Sequence, residues 1–394
     1  MTSVVTASAR GDAQSAGKDL AEQLVSKLGG ETPALVFVFA STQQPLDALL
    51  PPIIERFAGA TVLSASTAGE FTEETVSKGA AVAVAIAGDY EIRAGMADGL
   101  AANAEAAIAE AFGNVPESLD GYAYRTGVML LDPLSGNGEE ATLLAASMMA
   151  TESSIRLVGG AAGDDLAMKA THVGMGSRVA SDAIIVAAIF SKKPLGIGVC
   201  HGHEALNDER MTVTKSDGAT VFELDGRPAW EVWKERTREV AAAVGINVDA
   251  IPADELGGFL LRYQAGLASG SELKLRAPLS LGEDGSLSFA SGIPQGSVIR
   301  LTKSTPQRQV HSAVKAAERA CEQLESEPAG AVVFDCICRN LILAEKFDDA
   351  VSRISKALGG TPLAGFETYG EIALDVGDMT GFHNSTTVVL AFPS

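Results

Sequence analysis

Apolar residues along the chain fall into a pattern that repeats three times. Ala34 to Ala40 is a short unbroken apolar run of buried-strand type. From Leu46 to Phe57 the spacing turns helical, with Leu46, Leu49, Leu50, Ile53, Ile54 and Phe57 on one face. A second strand, Thr61 to Ser64, enters Ala65-Ser66-Thr67-Ala68-Gly69-Glu70, and Gly79 to Ala87 closes the unit. The order returns with Gly127 to Asp132, a helix over Glu139 to Ala150 and a strand over Ile155 to Val158. The turn Gly159-Gly160-Ala161-Ala162-Gly163-Asp164 follows, and Ala183 to Phe190 closes. It returns again with Ala331 to Cys336, a helix over Phe347 to Leu358 and a strand over Leu363 to Phe366. The third turn is Glu367-Thr368-Tyr369-Gly370-Glu371, and Thr386 to Phe392 closes. An Ala-rich amphipathic helix precedes each unit, at Ser15 to Leu28, Asn103 to Phe112 and Gln309 to Leu324.

Strand–helix–strand order implies parallel pairing under helical cover, and a closing strand that returns antiparallel makes the sheets mixed. The expected class is therefore α/β (mixed α+β), with repeated strand-helix-strand units forming mixed sheets covered by helices. The segment Leu195 to Leu301 breaks the repeat. It reads as strands at Leu195 to His203, Met211 to Thr214 and Val221 to Leu224, then a helix over Pro228 to Val244. Short strands follow at Phe259 to Tyr263, Leu273 to Leu275, Ser286 to Phe289 and Ser297 to Leu301. A boundary near Lys192 to Leu195 divides the chain into domains 1–194 and 195–394.

Length and charge narrow the function classes. A chain of 394 residues exceeds one ordinary core. A formal charge of −20 argues against nucleic acid, whose phosphates need clustered Lys and Arg. No stretch reaches the roughly 20 uninterrupted apolar residues of a membrane span. The polar start, Met1 to Gly11, lacks the order of a secretory signal. Four Cys in a chain this long make no disulfide framework, so the expectation is a cytoplasmic protein with reduced thiols.

Several residues carry candidate chemistry. Gly beside an acid permits a positive φ or a close backbone approach, and the acid can accept N–H bonds. Each such turn reads either as a hairpin device or as a ligand-binding strand end that uses Glu70, Asp164, Asp165 or Glu371. His201 and His203 stand at i and i+2, so on one strand both imidazoles face the same side and can meet a metal or a haem iron. The alternative is a pair of structural histidines. Cys336-Ile337-Cys338-Arg339 ends a buried strand, where the thiols can bind a soft metal, undergo redox chemistry or simply be buried. Arg339 can anchor a carboxylate or phosphate. Phosphate-loop, dinucleotide, nucleophile-elbow and zinc-protease motifs are absent, so no reaction and no catalytic residue is nominated.

These residues resemble a known family. Ser64-Ala65-Ser66-Thr67-Ala68-Gly69-Glu70 looks like the G-C-S-T-A-G-E block of the FIST N-terminal domain, with Ser64 and Ala65 in place of Gly and Cys. Val158-Gly159-Gly160-Ala161-Ala162-Gly163-Asp164-Asp165 is similar to its second block. Val213-Thr214 and Leu224-Asp225-Gly226-Arg227-Pro228-Ala229 resemble the junction with the FIST C-terminal domain. Cys336 with Arg339, Gly365 to Ile372 and His383-Asn384-Ser385-Thr386 resemble the end of that domain. The resemblance implies a sensory module of signal transduction that binds a small ligand, has no output domain of its own and acts in trans. The partner it implies is a histidine kinase of a two-component system or a cyclic-dinucleotide enzyme, and a homo-oligomer is left open. Asp335-Cys336-x-Cys338-Arg339, and a His upstream of Asp208 to Thr214, resemble the haem-binding, nitric-oxide-sensing branch. On that resemblance His203 and then His201 are the haem-ligand candidates, although His-Gly-His stands where that branch often has adjacent histidines. A haem-free alternative is a sensor of an amino acid or similar metabolite, with Arg339 on the carboxylate, Glu371 or Asp164 on the amine, and Tyr369 in the same turn. An enzyme using Cys336 or a His201/His203 metal site is a third reading.

Overall fold

In the computed structural model, which describes residues 1–113, 115–150, 156–269, 272–374 and 381–394, the three copies build one ring of sheets. The first copy runs β1 (Ser3–Ala9), α1 (Ala13–Leu28), β2 (Pro33–Ala40), α2 (Leu46–Arg56) and β3 (Thr61–Ser66). It ends in the hairpin β4 (Glu70–Thr72) and β5 (Val76–Ser77) and the closing strand β6 (Ala81–Ala87). The second runs β7 (Tyr90–Asp98), α3 (Ala104–Phe112), β8 (Tyr124–Leu131), α4 (Gly138–Met149) and β9 (Leu157–Ala161). Its hairpin is β10 (Val173–Met175) and β11 (Arg178–Ala180), and its closing strand is β12 (Ala183–Ser191). Ile155, expected at the start of β9, lies outside the described residues.

The third copy opens with β13 (Gly196–His201) and is then interrupted. An insert carries β14 (His203–Ala205), β15 (Met211–Asp217), β16 (Thr220–Leu224), β17 (Arg227–Pro228), α5 (Ala229–Ala242) and α6 (Ala253–Arg262). It continues with β18 (Tyr263–Ser269), β19 (Glu272–Arg276), β20 (Pro278–Leu281), β21 (Leu287–Phe289) and β22 (Val298–Ser304). The copy resumes with α7 (Pro306–Cys321), β23 (Pro328–Cys336), α8 (Ile337–Leu343), α9 (Phe347–Ala357) and β24 (Leu363–Thr368). It finishes with the hairpin β25 (Glu371–Leu374) and β26 (Gly381–His383) and the closing strand β27 (Thr386–Pro393).

Among the described residues, three sheets have the same plan. Their orders are β1-β6-β2-β3-β10-β11, β7-β12-β8-β9-β25-β26 and β13-β27-β23-β24-β4-β5. The two central strands of each copy pair in parallel, and the closing strand pairs antiparallel to the first of them. The hairpins are exchanged: copy one lends its hairpin to sheet three, copy two to sheet one, and copy three to sheet two. Mixed sheets were expected from the strand order. This exchange was not, because a hairpin's own sequence does not say which neighbouring edge it will join.

The inner faces of the three sheets meet in one core. There Phe39 lies 4.5 Å from Phe366 and 6.3 Å from Phe334, ring centre to ring centre. Such aromatic contacts add about 0.5–1.5 kcal/mol each beyond the area they bury. Outside, α1 and α2 cover the first sheet, α3 and α4 the second, and α7 and α9 the third. Capping side chains start the leading helices: Asp12, Asn103 and Thr305 each accept an N–H three residues on. Gly198 in β13 lets α7 lie flat on the strand, since a Cβ there would sit 1.7 Å from the Ala316 carbonyl oxygen.

The insert has its own sheet, β19-β18-β22-β15-β16-β21-β20, with β14 on β22 and β17 on β16, and its own core around Trp233. Two expectations change here. Leu195 to His203 is not one strand: it breaks at Gly202, where the chain leaves the third sheet and enters the insert. Phe259 to Tyr263 is not a strand up to Arg262 but the end of α6, which Pro252 precedes and Asp254 and Glu255 favour in its first turn. The short apolar run Phe259-Leu260-Leu261 fits both readings, and the proline and acids of the turn before it decide for helix. No helix among the described residues is long and apolar enough to cross a membrane.

Candidate functional site

The Gly-acid turns are not hairpin turns. Each is the point where the chain leaves its own sheet for the next, and the three interlock. Ala68 N–H donates to the Glu367 carbonyl at 3.0 Å, and Glu367 N–H donates to Gly69 at 2.7 Å. Gly163 N–H donates to Ser66 at 2.8 Å, and Ala161 N–H to Gly370 at 2.7 Å. The approach is close enough to require glycine: a Cβ on Gly163 would lie 2.6 Å from Ala68 N.

The acids finish this knot from within. Glu70 accepts from Thr67 Oγ1 at 2.9 Å and from Ala80 N–H at 2.6 Å. Glu371 repeats the arrangement with Thr368 Oγ1 at 2.5 Å and Thr386 N–H at 3.1 Å. Both are fully buried, and burial raises both carboxyls, that of Glu70 to about 7 and that of Glu371 well above its ordinary range. Asp164 differs. Burial opposes its charge, but Tyr369 Oη at 2.6 Å and the N–H groups of Met168, Lys169 and Ala170 hold its carboxyl low.

The extra acid of copy two, Asp165, turns away to accept from Ser41 Oγ at 2.9 Å, Thr42 N–H at 3.0 Å and the Thr42 hydroxyl. Asp165, Leu166 and Met168 all have positive φ, at 55°, 66° and 52°. Such a backbone is costly for residues with a Cβ and clusters at functional sites. Here it pushes Leu166 and Met168 outward over a cavity.

That cavity, about 440 Å³, lies between the ring and the insert. The ring supplies Pro133 and Leu134 after β8, Leu166 and Met168, and Tyr369 of the third turn. The end of β23 and helix α8 supply Cys336, Ile337, Cys338 and Leu341. The insert supplies Gly257, Gly258 and Leu261 of α6 with Pro278, Leu279 and Ala290. Five of the ten large apolar side chains exposed among the described residues, Leu134, Leu166, Met168, Leu279 and Leu341, belong to this one wall. A gathering of that kind marks an interaction site rather than the normal scatter of surface apolar residues.

The structure does not bring the expected site residues together in one place. Cys336 and Tyr369 line the cavity. Cys338 is there too, but on α8 and not on the strand, because β23 ends at Cys336. Burial pushes the Cys336 thiol well above its ordinary range, so it is a thiol and not a thiolate. Asp164 lines a separate polar cleft of about 530 Å³, with Ser41, Thr42, Ser66, Lys169 and His172. Glu70 and Glu371 lie inside the knot.

Arg339 is fully buried. Its Nε donates to Asp335 at 2.8 Å, and its other nitrogens reach Ser312 Oγ at 2.9 Å, the Gln309 carbonyl at 3.0 Å and the Gln309 side chain. Gln309 in turn donates to Ser304 Oγ at 2.8 Å, which donates to the Gly202 carbonyl at 2.6 Å. Arg339 therefore ties the cavity's floor helix to both strands that lead into the insert.

His201 and His203 flank Gly202, with ring centres 6.4 Å apart. His201 Nε2 lies 2.8 Å from the Leu273 carbonyl, and His203 Nδ1 lies 3.1 Å from Thr302 Oγ1. Burial lowers both imidazoles, so both are neutral, and His203 Nε2 has no partner. Neither ring lines the apolar cavity or the polar cleft. Among the described residues, no group of three or more His, Cys, Asp and Glu is placed to hold a metal. Sequence reasoning missed the insert's part in the site. The signal available for it was the glycine pair Gly257-Gly258 in an otherwise helix-compatible segment.

Comparison with known proteins agrees with this architecture. Residues 34–227 match the FIST N domain and residues 229–374 the FIST C domain. The chain belongs to the FIST family, sensory domains associated with signal transduction and the sensing of small ligands. It is 32% identical over 204 residues to an uncharacterized protein of Mycobacterium tuberculosis strain H37Rv, covering 47% of each chain. It is 29% identical over 188 residues to one of Mycobacterium bovis, covering 46% of each. A third, from Methanocaldococcus jannaschii, is 26% identical over 175 residues, covering 44% of this chain and 34% of its own. The chain thus spans about half the length, or less, of the curated relatives it matches.

Proposed function

We propose that this protein is an intracellular sensor whose small ligand occupies the cavity between ring and insert, and that ligand binding reorients the insert toward a signalling partner in trans. The observation that carries the reading is the double attachment of that cavity. Its walls come from both bodies, and Arg339 links its floor to Gly202 and Ser304, beside the two connections through which the insert joins the ring. A ligand touching both walls binds one insert position better than another, and that difference in affinity drives the shift. The partner class is a histidine kinase or a cyclic-dinucleotide enzyme.

The route through Arg339 replaces its use as a ligand clamp, since its guanidinium is already committed to Asp335, Gln309 and Ser312. An amino-acid ligand held by Arg339 would have to break that network. A haem reading has one favouring observation, the unpartnered Nε2 of His203. The fit is poor, because neither histidine faces the cavity, and no step of the proposal passes through an iron.

The test is hydrogen exchange on the full chain, before and after removal of whatever native mass spectrometry finds bound. Exchange should change at Gly202, Ser304 and Thr305 as well as at the cavity walls. A change confined to the walls sinks the signalling route. A Soret band that moves with nitric oxide would instead restore the haem reading.

A further inference from the structure

We infer that the cavity takes an uncharged, mainly hydrocarbon ligand, with an aromatic ring the best fit, and rejects amino acids and other zwitterions. This rests on the sensor reading and names the class of its ligand.

Three observations carry it independently. First, among the described residues no Lys, Arg, His, Asp or Glu lines the cavity. Its polar side chains are already engaged: Tyr369 Oη donates to Asp164 and accepts the Leu166 N–H at 2.8 Å. Asn384 donates to the His383 carbonyl at 3.0 Å and accepts from Ala277 N–H at 3.4 Å. An ammonium or carboxylate entering here would lose its water and find no counter-charge, a loss larger than apolar contact returns.

Second, Gly257 and Gly258 sit side by side within α6, and beyond their chain neighbours and the helix's own backbone no described atom comes within 4 Å of the place a Cβ would take. Nothing among the described residues needs glycine there for close packing, and glycine weakens a helix interior. What the pair provides is bare backbone and open space on the cavity wall. Third, the thiols of Cys336 and Cys338, the Met168 thioether and the Tyr369 ring present soft, polarizable surface, which packs well against an aromatic face or edge. The volume lies within the usual range of small-molecule sites, about 300–1,000 Å³.

The test uses the full chain and two fluorescent probes that share an arylated naphthylamine frame. N-phenyl-1-naphthylamine is neutral, and 8-anilinonaphthalene-1-sulfonate carries a sulfonate. The neutral probe should bind saturably at one site and be displaced by indole. The anionic probe and L-tryptophan should bind at least tenfold more weakly than their neutral counterparts. Gly258→Leu should weaken neutral-probe binding at least tenfold, and Gly257→Ala should weaken it less. Both substitutions favour the helix, so the loss cannot be ascribed to unfolding. Asp47→Asn, in the polar cleft, should leave binding unchanged.

Displacement by L-tryptophan as strong as by indole overturns the ligand class while leaving the cavity as the sensor's site. Neutral-probe binding that is absent, or indifferent to Gly258→Leu, overturns both this inference and the sensor reading built on the cavity. Loss of probe binding as the protein self-associates would give the apolar wall to a second copy of the chain, and overturns the inference as well.

Discussion

The first and third Gly-acid turns can be set against the second. In copies one and three, Thr and Glu three residues apart close on each other, and the carboxylate also holds the first residues of the closing strand. In these turns the Thr–Glu pair serves the ring. Copy two replaces Thr with Ala161 and Glu with Asp164, and adds Asp165. Its shorter acid cannot reach as far, so it gathers the N–H groups of its own loop, and the second acid bridges to copy one. The loop it shapes borders the apolar cavity on one side and the polar cleft on the other. Where two copies agree, the residues hold the fold. Where the third departs, they build a site.

The sharpest break in this comparison lies at the third turn, where two acids and an arginine are buried together. Asp335 and Glu367 are paired in register, both buried, with Arg339 beside them. Arg339→Ala leaves Asp335 without its cation, and a broken buried pair costs about 3–5 kcal/mol. Urea unfolding should show a loss of that size, and Arg339→Lys should recover only part of it.

Glu367→Gln should act in the opposite direction and depend on pH. Burial raises the Glu367 carboxyl from 4.5 to about 8, and its Oε2 has no partner, while Asn340 donates to Oε1 at 2.5 Å. The native state therefore holds a proton that the unfolded chain releases above pH 4.5. The contribution of Glu367 to stability should fall as pH rises from about 4.5 to 8 and level off beyond it. At about 1.4 kcal/mol per pKa unit the difference amounts to a few kcal/mol. Glu367→Gln should remove the Glu367 share of the slope, leaving that of Glu70 and Glu371, and be the more stable protein at pH 8. Equal slopes in the two proteins would refute the assignment.

Two smaller effects probe the site side of the comparison. Gly257→Ala and Gly258→Ala should each raise stability by roughly 1 kcal/mol, because alanine favours the helix interior, while probe affinity falls. Stability and binding moving together would mean that the glycines serve packing. Leu166→Gly should be neutral or stabilising by at most about 1 kcal/mol, since relief of a positive φ is partly offset by the added freedom of the unfolded chain. It should still weaken probe binding, which thermal unfolding and fluorescence titration together would show.

Much of this was legible from periodicity. The apolar runs Ala34 to Ala40 and Ala331 to Cys336, and the spacing of Leu46 to Phe57, correspond to β2, β23 and α2 within a few residues. Local pattern sufficed there because each element buries one continuous face. Strand β1 escaped because Ser3 to Ala9 has only Val4 and Val5 among small and polar residues and reads as a polar start. The exchange of hairpins was invisible because register and sheet membership depend on the partner edge. The cavity residues were half legible: Cys336 and Tyr369 stood in motifs, whereas Leu134, Leu166 and Leu279 are ordinary leucines until the fold sets them on one wall. Arg339 was found but its burial was not, since no local signal tells a buried arginine from a ligand-facing one.

The exchange of hairpins also sets a timetable for synthesis. Sheet two has its own strands by Ser191, yet the edge of β9 stays open until residues 371–383 are made. Nearly half the chain, the whole insert included, must leave the ribosome before that edge is covered. An uncovered strand edge is the part of a nascent protein most prone to pair with the wrong neighbour. The last hairpin is thus the bolt that ends the vulnerable stage, and a stop codon just before it would leave a nearly complete protein with its most adhesive edge showing.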